Sequence, residues 1–123
     1  MNLYEYVILR YVPKVEREEF FNIGVMMMCK RRRWLRLAYA IDENKFSCFN
    51  HVHTREELLE ILQGYVDVAD GNGEGYLHGL PAEERFRWLS AVRSTCLQCS
   101  RPHPGLTDDL DATFQRLFRE YVI

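Results

Sequence analysis

No stretch of this sequence is apolar for long enough to cross a bilayer. Val25 to Cys29 is typical of its hydrophobic runs, whereas a spanning helix needs roughly twenty such residues. Cysteine is scarce too. Cys29, Cys48, Cys96 and Cys99 are too few and too unevenly spaced for a disulfide scaffold, so a reducing compartment is expected. The opening Met1-Asn2-Leu3-Tyr4-Glu5-Tyr6 lacks the basic start and apolar run of a secretory leader, and the expected location is cytoplasmic. Neither sign of charge dominates: 16 basic against 18 acidic side chains give a net charge of −2. That balance tells against a dedicated duplex-DNA binder but allows a local basic patch. With only seven glycines, four prolines and no repeat, collagen-like and disordered classes are excluded. What remains is an ordinary globular composition, 47% hydrophobic and 13% aromatic over 123 residues. A chain of this size buries about two-thirds of its unfolded surface, enough for one core and a single domain over 1–123.

Leu3 to Val12 reads as a strand rich in Tyr, Val, Ile and Leu, with Glu5 and Arg10 on opposite faces. Pro13 and the polar Lys14 to Glu19 form a connection, and a second strand starts near Phe21. Gly24 within it marks a bulge or a close backbone approach. Lys30 to Arg33 is a charged tip, after which Trp34 to Ile41 alternates as a third strand, completing a meander over about 3–41. A helical and loop-rich remainder follows, over about 54–122. Thr54-Arg55-Glu56-Glu57 is a capping box, opening a helix that ends at Gly71. Pro81 opens a second helix, with Phe86 and Leu89 inward and Trp88 at a rim. Arg93 to Ser100 contains a weakly patterned fourth strand. Arg101-Pro102-His103-Pro104-Gly105 reads as loop, and Thr107 or Asp108 caps a last helix with a Leu110, Phe114, Leu117, Phe118, Tyr121 stripe. The expected architecture is α+β: an antiparallel sheet of three to four strands, with about three helices packed mainly on one face.

Tyr4 to Pro13, then Arg17-Glu18-Glu19-Phe20-Phe21-Asn22-Ile23-Gly24-Val25, resembles a bacterial family known as domain of unknown function 3037. Arg85-Phe86-Arg87-Trp88-Leu89, Arg93-Ser94-Thr95, Gln98, His103 and Gly105-Leu106-Thr107-Asp108 are similar to its second signature. Cys99 departs from that pattern. The resemblance implies a small bacterial cytosolic domain without assigned activity, and a HipA-like kinase as an encoded neighbour and partner.

Several residue clusters carry candidate chemistry. Cys96-Leu97-Gln98-Cys99 with His103, and Cys48, His51 or His53 as a fourth ligand, has the donor types for zinc, but residues three apart on a strand diverge. Asp70 to Gly75 reproduces half a calcium loop, yet Pro81 stands where a bidentate glutamate belongs. No metal and no cofactor is therefore expected. Lys30, Arg31, Arg32, Arg33 and Arg36 beside Trp34 suit phosphates and a stacked base, although a solvated hairpin tip explains them as well. Arg93, Ser94, Gln98, Ser100, His103, Thr107 and Asp108 form a polar stretch flanked by buried elements, suited to an anion unless Arg93 pairs with Asp108. Arg17, Glu19 and Asn22 are expected as a buried ion pair, with the amide satisfying a bulged backbone. The ligand-binding candidates are thus Arg17, Asn22, Arg93, Ser94, Gln98, His103, Thr107 and Asp108.

The favoured function is a non-enzymatic protein-interaction or accessory module, with Trp34, Trp88 or the Met26 to Met28 run contributing an apolar patch. One alternative is nucleic-acid or phosphate binding through Lys30 to Arg36 with Arg93. The other is a small hydrolase or transferase centred on His103 and Asp108. No membrane association is expected.

Overall fold

Alternation settles the first element. Asn2–Tyr11 forms strand β1, which sends Val7, Leu9 and Tyr11 to one face and Tyr4 and Ile8 to the other, all of them buried. In the computed structural model, which describes residues 1–49, 51–91 and 96–123, β1 runs through the middle of a five-stranded antiparallel sheet. β2 (Phe21–Cys29) pairs with one side of it and β3 (Trp34–Tyr39) lies beyond β2. That is the expected meander. Along the other side, β4 (Leu97–Cys99) pairs with residues 9–11 of β1 and β5 (His103–Thr107) with residues 2–6. Between these two short strands Ser100 fills the gap: its Oγ accepts from Ile8 N–H at 2.9 Å, and its own N–H donates to Ile8 O at 2.9 Å.

β5 corrects the reading of Arg101 to Gly105 as loop, because His103, Pro104 and Gly105 are strand. Proline is tolerated on an edge strand, where its missing N–H faces no ladder partner. Gly105 is required there for a different reason. The Tyr4 ring lies directly over it, and a Cβ at residue 105 would collide with the phenol. The fourth strand expected within Arg93 to Ser100 is present as β4; residues 92–95 lie outside the described residues.

Gly24 marks a bulge and a close approach together. Leu9 lies opposite Gly24 while Arg10 lies opposite Asn22, so Ile23 is the extra residue. Ile23 and Gly24 therefore point to the same face, which keeps Phe21, Ile23, Met26 and Met28 together in one core and leaves Val25 and Met27 in the other. A Cβ on Gly24 would stand 2.8 Å from Ala38 O.

The helices cover both faces, as they must when β1 and β2 are apolar on each side. A short α1 (Glu43–Ser47), which the sequence pattern does not reveal, is capped by Asp42. α2 (Arg55–Asp70) starts at the Thr54/Glu57 capping box and ends at Gly71, whose φ of 72° is left-handed. α3 is Ala82–Ala91 and α4 is Leu110–Tyr121. Phe46 of α1, Leu58 and Leu62 of α2, and Phe86 and Leu89 of α3 pack on the Val7/Leu9 face. Among the described residues, α4 is the helix on the Tyr4/Ile8 face, with Phe114 and Leu117. Asp109, rather than Thr107 or Asp108, caps α4 by accepting from Ala112 N–H at 3.0 Å. Thr107 Oγ1 instead accepts from Asp109 N–H at 3.1 Å and bonds Thr113 Oγ1 at 2.7 Å, fixing the approach to the helix. Among the described residues, no helix is long and apolar enough to cross a membrane.

Candidate functional site

β1 presents unsatisfied surface at each of its ends, on opposite faces of the sheet. At its start Leu3 pairs across the ladder with Leu106 of β5, and both face the side that carries α2 and α3. α3 reaches along this row to Glu5, whose carboxylate accepts from both outer nitrogens of Arg87 at 2.9 and 2.5 Å. That fork holds the Glu5 carboxyl below its ordinary range, against the opposing effect of burial. Beyond it the row is open: Met1 is 76%, Leu3 62% and Leu106 61% exposed. The β2–β3 tip closes the other side, giving a hollow of about 580 Å³ lined by Met1, Leu3, Lys30, Arg31, Arg33 and Leu106. Among the described residues no carboxylate lines it, although Lys30 and Arg33 also border a neighbouring hollow that contains Glu83 and Glu84. Lys30 is 3.5 Å from Glu83, whereas Arg31 and Arg33 have no ion pair among the described residues.

The tertiary structure divides the basic run. Arg36 is ion-paired with Asp111 and lies 5.0 Å over the Trp34 ring. Trp34 is half-buried and edge-on to Phe114, so it offers no open stacking platform. Arg32 and Trp34 share a hollow of about 280 Å³ with Asp108, Asp109 and Asp111, which interrupts any phosphate track with carboxylates. Lys30, Arg31, Arg32 and Arg33 remain exposed at the tip. The expected contribution of Met26 to Met28 to a surface patch is corrected, because all three are buried. Trp34 is withdrawn from that patch as well, while Trp88 is 46% exposed.

At the other end of β1, Arg10 stands between Asn22 and Gln98, its partners across two ladders, on the α4 face. Arg10 Nε is buried and has no hydrogen-bond partner among the described residues. The guanidinium lies 4.6 Å over the exposed Phe20 ring. Beside it is a hollow of about 270 Å³ lined by Val12, Glu18, Phe20 and Gln98. Asn22 donates to Tyr121 O at 3.0 Å, tying β2 to the end of α4, rather than serving the bulge. His103 lies tilted against Tyr6 with ring centroids 5.2 Å apart, and Tyr6 stacks on Tyr121 at 6.1 Å. Burial, then the hydrogen bond to Tyr121, pushes the Tyr6 phenol up to about 12.

The other candidates scatter. Arg17 and Glu19 do pair, but on the surface rather than buried. His103 and Thr107 occupy opposite ends of β5, about 13 Å apart at the usual strand rise. Asp108 lies past the strand, 3.6 Å from the Met1 ammonium, so His103 and Asp108 do not form one centre. Arg93 and Ser94, and with them the expected Arg93–Asp108 pair, lie outside the described residues. Beside the Asp70 to Gly75 loop, Arg85 donates to Val68 O and Ala69 O at the end of α2 and to Leu80 O, and its guanidinium lies against Gly71, a cation next to the half-loop that calcium would need. Burial pushes the Cys99 thiol up to about 11, the reverse of an activated thiolate. Among the described residues no three His, Cys, Asp or Glu side chains converge as metal ligands.

Three features escape the sequence. Leu3 looks like an ordinary strand residue and Leu106 like part of a linker, until β5 pairs them and the helix that should cover them stops short. Arg10 carries a signal, being a lone cation in an otherwise apolar strand segment. His51 bonds Tyr11 Oη through Nδ1 at 2.8 Å and Phe46 O through Nε2 at 2.5 Å. A carbonyl only accepts, so Nε2–H donates to Phe46 O and Nδ1 accepts from the Tyr11 hydroxyl, which keeps its proton. Burial pushes that phenol up to about 12, and the pair is a satisfied link between β1 and α1.

The architecture defines an α+β protein built on a five-stranded antiparallel sheet. The chain belongs to the family described as Protein of unknown function (DUF3037), which is matched over residues 6–122. No curated protein and no solved structure matches it.

Proposed function

We propose that the protein is a docking module that binds an extended protein segment carrying apolar and acidic side chains at the Leu3/Leu106 hollow. The observation that carries this reading is the cross-strand Leu3–Leu106 pair, left open on a sheet face that is otherwise covered and rimmed by Arg31 and Arg33 without an acidic neighbour in the lining. Burying the three apolar side chains supplies affinity, and the guanidinium groups select carboxylates and speed encounter. A short peptide alternating valine and glutamate tests it, read by fluorescence anisotropy against the same peptide with lysine for glutamate. Binding of the acidic peptide alone is expected, weakened by salt and lost in Leu106→Asp, an exposed position that leaves the core intact. Equal binding of both peptides, or of neither, overturns the reading. The HipA-like kinase implied by the family resemblance is a partner under this proposal only if it presents such a segment.

A phosphate ligand at Lys30 to Arg33 is the competing occupant of the tip. Trp34 and Arg36 are already engaged by α4, so an oligonucleotide keeps charge contacts without stacking. Oligonucleotide binding at low salt that Leu106→Asp leaves untouched would favour that alternative.

A further inference from the structure

The half calcium loop after α2 contains the dipeptide Asn72-Gly73. An asparagine before glycine loses its side-chain amide when the next main-chain nitrogen attacks the side-chain carbonyl carbon. That reaction needs an unblocked nitrogen, a free amide, room around the nitrogen and a group that carries the developing charge. The loop supplies each of them. Asn72 and Gly73 are exposed, and among the described residues no hydrogen bond engages the Gly73 N–H or the Asn72 side-chain amide. The Asn72 N–H, by contrast, is anchored to Asp67 O at 2.9 Å. Gly73 has φ of 102° and leaves its nitrogen unshielded by any side chain; a Cβ there would stand 3.0 Å from His78 Cε1. His78 Nδ1–H donates to Asn72 O, the carbonyl of the same peptide bond that contains the Gly73 nitrogen.

Removing the Gly73 N–H proton leaves an anion shared between that nitrogen and Asn72 O. A donor already placed on the oxygen therefore stabilises charge where it develops. We propose that Asn72-Gly73 is a self-modifying site, deamidated by attack of the Gly73 nitrogen on Asn72 Cγ, with His78 as the activating donor. The Gly73 proton goes to hydroxide, the nitrogen–Cγ bond forms, and the side-chain nitrogen leaves as ammonia with a proton from water. Water then opens the cyclic imide at either carbonyl, giving aspartate or isoaspartate. The net exchange is one water taken up for one ammonia released, with nothing oxidised or reduced. Either product puts a new carboxylate between Asp70 and Glu74, and isoaspartate also lengthens the main chain between Gly71 and Gly73 by one carbon. None of these residues lines the Leu3/Leu106 hollow, so the site is independent of the docking reading.

The test is timed incubation of the full chain at neutral pH, followed by peptide mapping in a mass spectrometer and an isoaspartate assay. Asn22, whose amide donates to Tyr121 O, and Asn44, set in α1, serve as internal references. Asn72 is expected to convert to both products while Asn22 and Asn44 stay intact. His78→Phe keeps a ring against Gly73 without the donor and should slow conversion of the folded protein by about tenfold, the loss of one hydrogen bond to a developing charge. In concentrated urea the wild type and His78→Phe should convert at the same rate, because only the fold holds the donor on Asn72 O. Asn72 surviving in the folded protein while the urea-unfolded chain converts overturns the site. Folded His78→Phe converting as fast as the wild type or faster, or a difference between the two that persists in urea, overturns the role of His78.

Discussion

Ser100→Ala probes how one edge of β1 serves two strands. β4 and β5 pair with different halves of β1, and the ladder between them is completed by a hydroxyl rather than a backbone carbonyl. Ser100 is 7% exposed and Ile8 is equally buried, so water does not replace the lost acceptor freely. Removing Oγ leaves the Ile8 N–H unsatisfied, which costs about 1–3 kcal/mol. The methyl that remains occupies nearly the same space, so a cavity adds little. With a urea slope of roughly 1.5–2 kcal/mol/M for a chain of this size, a loss of about 2 kcal/mol lowers the unfolding midpoint by about 1 M at unchanged slope. Amide exchange supplies the local measure: Ile8 should lose protection selectively, ahead of its neighbours Val7 and Leu9. A midpoint shift below about 0.3 M, with Ile8 still protected, would refute the claim that the hydroxyl closes this ladder.

Two glycines should respond in opposite directions to the same substitution. Gly105→Ala forces a methyl into the Tyr4 ring and is expected to cost about 1–3 kcal/mol, whereas Gly64→Ala, exposed in α2 with nothing near its Cβ, should stabilise by about 1 kcal/mol; thermal unfolding of the pair checks both signs. The Glu5–Arg87 fork predicts a pH dependence. Because the Glu5 carboxyl is lowered in the folded protein, its contribution is complete above the unfolded value near 4.5 and disappears as pH falls through the folded one. Arg87 is 47% exposed, so the contribution is screened to at most about 1 kcal/mol. Unfolding free energies of the wild type and Arg87→Met from urea titration should differ by about that amount at pH 7 and draw together as pH falls below 4.5; a gap that persists unchanged at low pH would show that the fork is not its source.

Local pattern was enough for much of this architecture. Period-two alternation in residues 3–12 and 34–41, the Thr54/Glu57 box and the α4 stripe each encode their element within a few residues, because propensity and capping act locally. The α+β class followed from them. Gly24 was legible as well, since a glycine inside an apolar strand has few other uses. β5 was not. Two prolines and a glycine break a central strand but not an edge strand, and which strand is outermost is decided by pairing across about a hundred residues.

The candidate site divides along the same line. Residue types announced that Arg31, Arg33, Asn22 and Gln98 were polar groups near apolar segments. Whether a polar group is free is a property of its neighbours. Arg36 is engaged because α4 brings Asp111 to it, and Arg87 because β1 brings Glu5. Arg10 is left over because the strands beside it contribute two amides and no acid. Composition and periodicity by themselves determined the class of fold and most of its elements, since both depend on short-range preferences and on burying apolar faces. Only tertiary packing decided which charges are spent on each other and which apolar pair stays uncovered, because ion pairing and burial depend on distances between residues far apart in the chain.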